Sequence, residues 1–136
     1  LLHLQPVNSP RKLEKKELLS SKKSIQSIFD NGRIIKAYPL FISFEVVNSE
    51  HSEIKVLFSV SKKRQKLAVR RNGIKRKLKE SYRLNKLPLL EFTLKEGLSL
   101  NLMIIQVTGD AVPYSTIEKK MIKGLSKLKE SLIKSN

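Results

Sequence analysis

Hydrophobic and polar positions along this chain alternate between helical and strand periods, with turn residues marking the changes. From Ser20 the spacing is helical: Ile25, Ile28 and Phe29 form an i, i+3, i+4 face, and Asn31-Gly32 is a stop signal. Tyr38-Pro39 restarts the chain in extended form, and LFISFEVV (40–47), rich in aromatic and β-branched residues, predicts a strand. After the polar turn NSEHSE (48–53), IKVLFSV (54–60) puts Ile54, Val56, Phe58 and Val60 on one face, which predicts the second strand of a hairpin. SKKRQK (61–66) predicts an irregular loop, followed by a helix from about Val69 to Asn85 that Pro88 limits. LLEFTLKEG (89–97) predicts a short helical turn closed by Gly97, and LSLNLMIIQV (98–107), the most apolar stretch, a central strand. Gly109 and Pro113 mark a loop, after which Ser115 or Thr116 is expected to cap a last helix ending near Ile133. In that helix Ile117, Met121, Leu125, Leu128 and Leu132 make one apolar stripe suited to core packing.

The element order is helix, two strands, helix, strand, helix, which predicts an α+β sandwich with helices packed on a sheet of three or four strands. Only the connection through the central helix joins two sheet strands around a helix. Residues 1–12, with two prolines and little pattern, are expected to be a mobile arm ahead of a single domain over 13–136. The whole chain, 136 residues, is long enough to bury a core without disulfides or metal.

Charge changes this picture most. Residues 61–86 hold twelve Lys or Arg and one acid, Glu80, so 26 residues carry +11 of the chain's +16. Charge that concentrated opposes folding by self-repulsion, which a polyanionic partner would offset. With successive residues ~100° apart and Ile74 at zero, Ile74, Leu78 and Tyr82 fall within about 80°. Arg71, Asn72, Lys75, Arg76, Lys79 and Arg83 fill an adjoining arc from about 60 to 200°. The like charges at i, i+4 from Arg71 to Arg83 cost roughly 0.2–0.5 kcal/mol per pair. A face kept only for solubility has little reason to concentrate that cost, to exclude acids or to place an amide inside the basic arc of a helix with four arginines. A membrane-surface helix fits poorly, because the apolar side is committed to packing. An architectural DNA-binding protein is disfavoured by the lack of a turn-linked partner helix or dimer seam.

Candidate chemistry elsewhere is sparse. The chain has no cysteine, which removes disulfides, thiol chemistry and Cys-containing zinc sites and suits a reducing cytoplasm. The apolar run LMII (102–105) is far short of the ~20 residues that span a bilayer. The opening LLHLQPVNSPRKLEKK has no charged segment before its few apolar residues, so a secretory signal is not expected there. His3 in the arm and His51 in a turn are expected to be exposed bystanders, and Asp30 and Asp110, each near a glycine, to serve turns. No carboxylate cluster, glycine-rich phosphate loop or nucleophile triad is visible, so no catalytic or metal-binding side chain is predicted.

The string Arg71-Asn72-Gly73-Ile74-Lys75-Arg76, followed by Lys77-Leu78-Lys79-Glu80-Ser81-Tyr82-Arg83, resembles the signature helix of the bacterial ribonuclease P protein component. That family carries Arg-Asn-Arg, an apolar residue, then Lys-Arg. Val60-Ser61-Lys62-Lys63 is similar to the family's approach to that helix, and Ala68-Val69 falls where the family has Ala-Val. LSSKKSIQSIFDNG, AYPLFISF and LNLMIIQVTG resemble its first helix, first strand and last strand, so the likeness covers roughly residues 13–133. Three positions depart from it. Gly73 stands where the family has its second Arg, a loss of one cation and ~1 kcal/mol of helix propensity relative to Ala. On the wheel residue 73 lies near 260°, outside the main basic arc, so RNA contact should weaken without being erased. Leu18 precedes Leu19 where the family commonly has Arg, and Ile25 stands where the first helix often offers a second phenylalanine beside Phe29.

The resemblance implies a ribosomal-protein-S5-domain-2-like sandwich with a left-handed βαβ crossover. It also implies a cytoplasmic ribonucleoprotein, with the protein monomeric in a 1:1 complex with ribonuclease P RNA. In that complex the RNA, with Mg²⁺ held mainly by RNA and substrate, catalyses the endonucleolytic, hydrolytic removal of the 5′ leader from precursor tRNA. No membrane and no small-molecule substrate is implied. The residues expected on the catalytic RNA are Lys62, Lys63, Arg64, Lys66, Arg70, Arg71, Asn72, Lys75, Arg76, Lys79 and Arg83. A cleft between the first helix and the sheet, with candidates Ile25, Phe29, Phe41 and Phe44, is expected to hold the single-stranded leader by stacking and shape. The alternative is a non-catalytic basic RNA-binding module of ribosomal-protein type using the same helix.

Overall fold

In the computed structural model, which describes residues 13–135, the most apolar strand lies inside the sheet. That strand, β4 (Ser99–Gln106), is buried at seven of its eight positions, the pattern of a strand covered on both faces. The others are β1 (Arg33–Ala37), β2 (Leu40–Val47) and β3 (Ile54–Val60), and the order across the sheet is β1-β2-β4-β3. β4 runs antiparallel to β2 and parallel to β3.

The expected hairpin between 40–47 and 54–60 is therefore not formed, because β4 inserts between the two strands. The connecting segment bonds to the start of β4 instead: Ser52 Oγ donates to the Leu98 carbonyl at 2.6 Å, and Leu100 N–H donates to Glu53 at 3.0 Å. The actual hairpin is β1–β2, with Ala37 opposite Leu40 around the cis Tyr38-Pro39 bond. β1 gave no clear strand signal: it is short, cationic and on the sheet edge, with only Ala37 buried.

Helix α1 (Lys22–Asn31) starts at Ser21, whose side chain accepts from Ser24 N–H, and stops at Gly32. A Cβ at Gly32 would fall on the Ile28 carbonyl and Ser43 Oγ, so the close return into β1 requires glycine. Asp30 sits in the last turn of this helix rather than in a loop, and accepts from Gln26 Nε2 at 3.1 Å. The basic helix is α2 (Ala68–Asn85), and α3 (Leu87–Glu96) follows with Pro88 in its first turn and Gly97 left-handed at its end, φ 67°. The last helix, α4 (Tyr114–Ser135), begins before Ser115 and Thr116, so neither caps it; Thr116 and Ile117 N–H donate to the Pro113 carbonyl at 3.0 and 3.1 Å.

α2 and α4 lie side by side on one face of the sheet, and α1 on the other. The main core joins Leu40, Ile42, Phe44, Val56, Phe58, Leu100, Leu102 and Ile104 to Ile74, Leu78 and Tyr82 of α2 and to the α4 stripe. Every residue of that stripe, Ile117, Met121, Leu125, Leu128 and Leu132, is buried as its spacing predicts. On the far face Leu19, Ile25 and Ile28 pack against Leu57, Met103 and Ile105. The outer edge of β3 is covered by the chain before α1: Leu18 pairs with Val56, and Glu17 holds the buried Lys86 amine at 2.6 Å. The expectation for residues 1–12, and His3 within them, falls outside the described residues.

Candidate nucleic-acid interface

The packing side of α2 is the one its wheel predicts. Ile74, Leu78 and Tyr82 are buried, and the Tyr82 ring meets Phe58 edge-on with centroids 5.8 Å apart. Burial pushes the Tyr82 hydroxyl well above its ordinary pKa, with the Glu17 charge adding to it, so it stays neutral.

The opposite side is cationic. Arg70, Asn72, Arg76 and Lys79 are exposed, Arg71, Lys75 and Arg83 half-buried, and the preceding loop exposes Lys62, Lys63, Arg64 and Lys66. The three ion pairs among the described residues take up only Lys16, Arg83 and Lys86. Arg83 is held by both Glu80 oxygens, Nε at 2.9 Å and Nη2 at 2.7 Å. Those bonds keep the Glu80 carboxyl below the usual carboxylate range and Arg83 above its own. Of the cations expected on RNA, Arg83 alone is therefore paired with a carboxylate. Leu67, at the N-cap of α2, offers no capping side chain, and the first turn has no acid. The helix start thus presents unshielded N–H groups beside the basic loop, a combination that favours anions.

The loop is tied down by polar contacts that its charge run does not show. Arg71 Nη1 donates to the carbonyls of Gln65 and Lys66, both at 2.9 Å. Gln65 Nε2 donates to Gly109 O at 2.9 Å, and the buried Gln106 Nε2 donates to Thr108 O and Asp110 O at 2.9 Å. Gly109 has no space for a Cβ, because the Arg64 carbonyl lies against it. The basic loop is thereby fixed between the end of β4 and the start of α2. Lys77, outside the expected set, donates to the Val112 carbonyl at 3.0 Å.

The four residues expected to line the second surface do not all meet. Ile25 packs beside Ile28 on the far face of the sheet, and Phe29 stands 68 % exposed on α1. Phe41, half-buried, points to that same face, opposite Ile105 of β4 and beneath the Lys36 amine, 5.7 Å from the ring centroid. Phe44 does not belong with them. Three residues on from Phe41, it faces the other side of the sheet, 1 % exposed in the main core, with the Arg33 guanidinium 4.7 Å from its ring. Lys36 was missed because β1 was not foreseen; its five residues show no clean alternation.

Among the described residues no group of three or more His, Cys, Asp or Glu side chains could hold a metal ion, and no helix is long and apolar enough to cross a membrane.

A mixed sheet backed by a basic helix, with a cationic loop fixed beside the helix start, marks a small α+β protein of the nucleic-acid-binding class. The family model described as Ribonuclease P matches residues 13–129, and the chain belongs to that family, as a ribonuclease P protein component. It is 36 % identical over 119 residues to the ribonuclease P protein component of Porphyromonas gingivalis, covering 85 % of each chain. To that of Chlorobium phaeobacteroides it is 32 % identical over 108 residues, covering 71 % of this chain and 73 % of the other. The fold is shared with the RNase P protein of Staphylococcus aureus, TM-score 0.62 at 21 % identity, over 83 % of this chain and 95 % of that one. It is shared equally with that of Thermotoga maritima, TM-score 0.62 at 20 % identity, over 82 % and 96 %.

Proposed function

We propose that this chain is the protein subunit of ribonuclease P, binding the catalytic RNA through α2 and its loop and the 5′ leader of precursor tRNA through the cleft under α1. The observation that carries this reading is the basic loop and α2: nine of the ten expected cations, all but Arg83, have no carboxylate partner among the described residues. Arginines there fork onto phosphate oxygens, lysines act as point charges, and the Asn72 amide can bond a ribose or backbone oxygen. On the far face the exposed Phe29 and half-buried Phe41 offer π-faces and Lys36 a charge to a single strand.

The chemistry belongs to the RNA. Mg²⁺ is assigned to RNA and substrate phosphates, because the donor set here does not fit a protein-held ion: Asp30 is bonded to Gln26 and Glu80 to Arg83. The protein is assigned to a 1:1 complex in the cytoplasm, with precursor tRNA as substrate. The test is reconstitution with bacterial ribonuclease P RNAs. The protein alone should cleave nothing, and with its cognate RNA it should yield mature tRNA 5′ ends at low Mg²⁺. Binding to ribosomal RNA with no stimulation of any ribonuclease P RNA would instead assign it to the basic modules of ribosomal-protein type.

A further inference from the structure

A second cationic row lies on α4, away from α2. Lys120, Lys123, Lys127 and Lys134 fall within an arc of about 60° on the helical wheel, directly beside the buried stripe. The opposite flank of α4, with Ile122, Ser126 and Lys129, faces a groove shared with α2 and α3, so the row looks the other way, toward β1. Two hydrogen bonds fix that placement. Lys127 Nζ donates to the Lys36 carbonyl at 3.1 Å, and Arg33 Nη1 donates to Ser135 Oγ at 3.0 Å. The second half of α4 therefore runs along the edge strand, and Arg33 joins the four lysines. None of the three ion pairs among the described residues involves these five cations; Glu130 is the one carboxylate of α4 bordering the row.

We propose that this flank is a second RNA surface, taking the 5′-distal part of the single-stranded leader once it has crossed the β1 edge. The inference rests on the leader-binding role proposed above for the cleft. Continuity favours this occupant. Lys36 belongs to both surfaces: its amine lies over Phe41 on the cleft side and its carbonyl receives Lys127 on the α4 side. β1 is the edge strand, so nothing in the sheet lies beyond it to keep a chain from passing around it between the two. On this edge hairpin Tyr38, 65 % exposed, gives bases a ring to stack on, and Ile34, 57 % exposed, an apolar contact beside it. From Lys120 to Lys134 the row extends about 21 Å along the helix. Its helical members are all lysine, with no fork for a base edge, which suits phosphates of any sequence. The catalytic RNA is the less fitting occupant, since α4 itself stands between this row and the basic arc of α2.

The test uses the reconstituted holoenzyme and one precursor tRNA carrying a series of leader lengths. For the wild type, affinity should keep rising with leader length after the cleft is filled. In Lys120→Gln/Lys123→Gln/Lys127→Gln/Lys134→Gln that later rise should vanish. Long leaders should bind about tenfold more weakly and short ones as before, and the long-leader salt slope should drop by ~0.7 for each phosphate no longer neutralised. Because Lys120 is half-buried, a triple variant that keeps it guards against misfolding and should show the same selective weakening. Equal weakening on short and long leaders, no weakening on either, or poorer binding of the catalytic RNA alone would overturn the inference and leave the proposed function standing. A wild-type holoenzyme that processes no precursor tRNA would overturn both.

Discussion

At Gly73 the basic helix has room that it does not use. The residue sits inside α2 with an ordinary helical backbone, since Gly97 is the only described residue with positive φ, and a Cβ at Gly73 would meet nothing within 4 Å. No backbone requirement therefore opposes Gly73→Arg. The substitution should raise stability by about 0.5–1 kcal/mol through helix propensity, read by chemical denaturation. It should also tighten RNA binding and steepen the salt slope by about 0.7–0.9, the effect of one neutralised phosphate. A lower denaturation midpoint would show that the glycine serves packing after all. Arg71 and Arg83 show what residue types alone leave out. Both belong to the charge run in the sequence, yet one holds two loop carbonyls and the other a carboxylate, partners set by side-chain geometry across three to six residues.

Among the elements, the loop between β3 and α2 shows how position adds to charge. If Arg71 mainly fixes that loop, Arg71→Ala should speed amide hydrogen exchange at Gln65 and Leu67. It should weaken RNA binding with less change in salt slope than Arg76→Ala, because Arg76 is exposed and unpaired among the described residues. An equal slope change with unaltered exchange would make Arg71 a phosphate ligand instead. The elements legible in the sequence are those whose pattern is strong and local: α2 and α4 by their apolar stripes, β2 and β4 by apolar runs bounded by turns. The β2–β3 hairpin was misread because adjacency is decided by the strand that best fills the centre, and β4 lies about fifty residues downstream of β2. β1 was missed because an edge strand bearing Arg33 and Lys36 need not alternate cleanly. Which strand aromatics share a face was not legible, since Phe41 and Phe44 differ by one step of strand parity.

For the whole molecule, a net charge of +16 makes salt act in opposite directions on stability and on binding. Raising ionic strength screens self-repulsion, so without RNA the thermal midpoint should rise between low salt and about 0.1 M, where the Debye length is ~10 Å. Over the same range affinity for ribonuclease P RNA should fall steeply. Parallel thermal melts and binding isotherms check this; a midpoint that drops with salt would mean that the protein's own carboxylates already balance its cations.

The covering of β3 by Leu18 and Leu19 bears on how the protein behaves at high concentration. An open strand edge recruits further strands, the first step toward aggregates. Here one edge is occupied by the chain's own leading segment, fastened by Glu17 to Lys86, and the other carries Arg33 and Lys36, which repel an identical edge. Both edges of the sheet are thus guarded against self-addition, one by its own chain and one by like charge, which lowers the tendency of so basic a chain to template fibrils when concentrated.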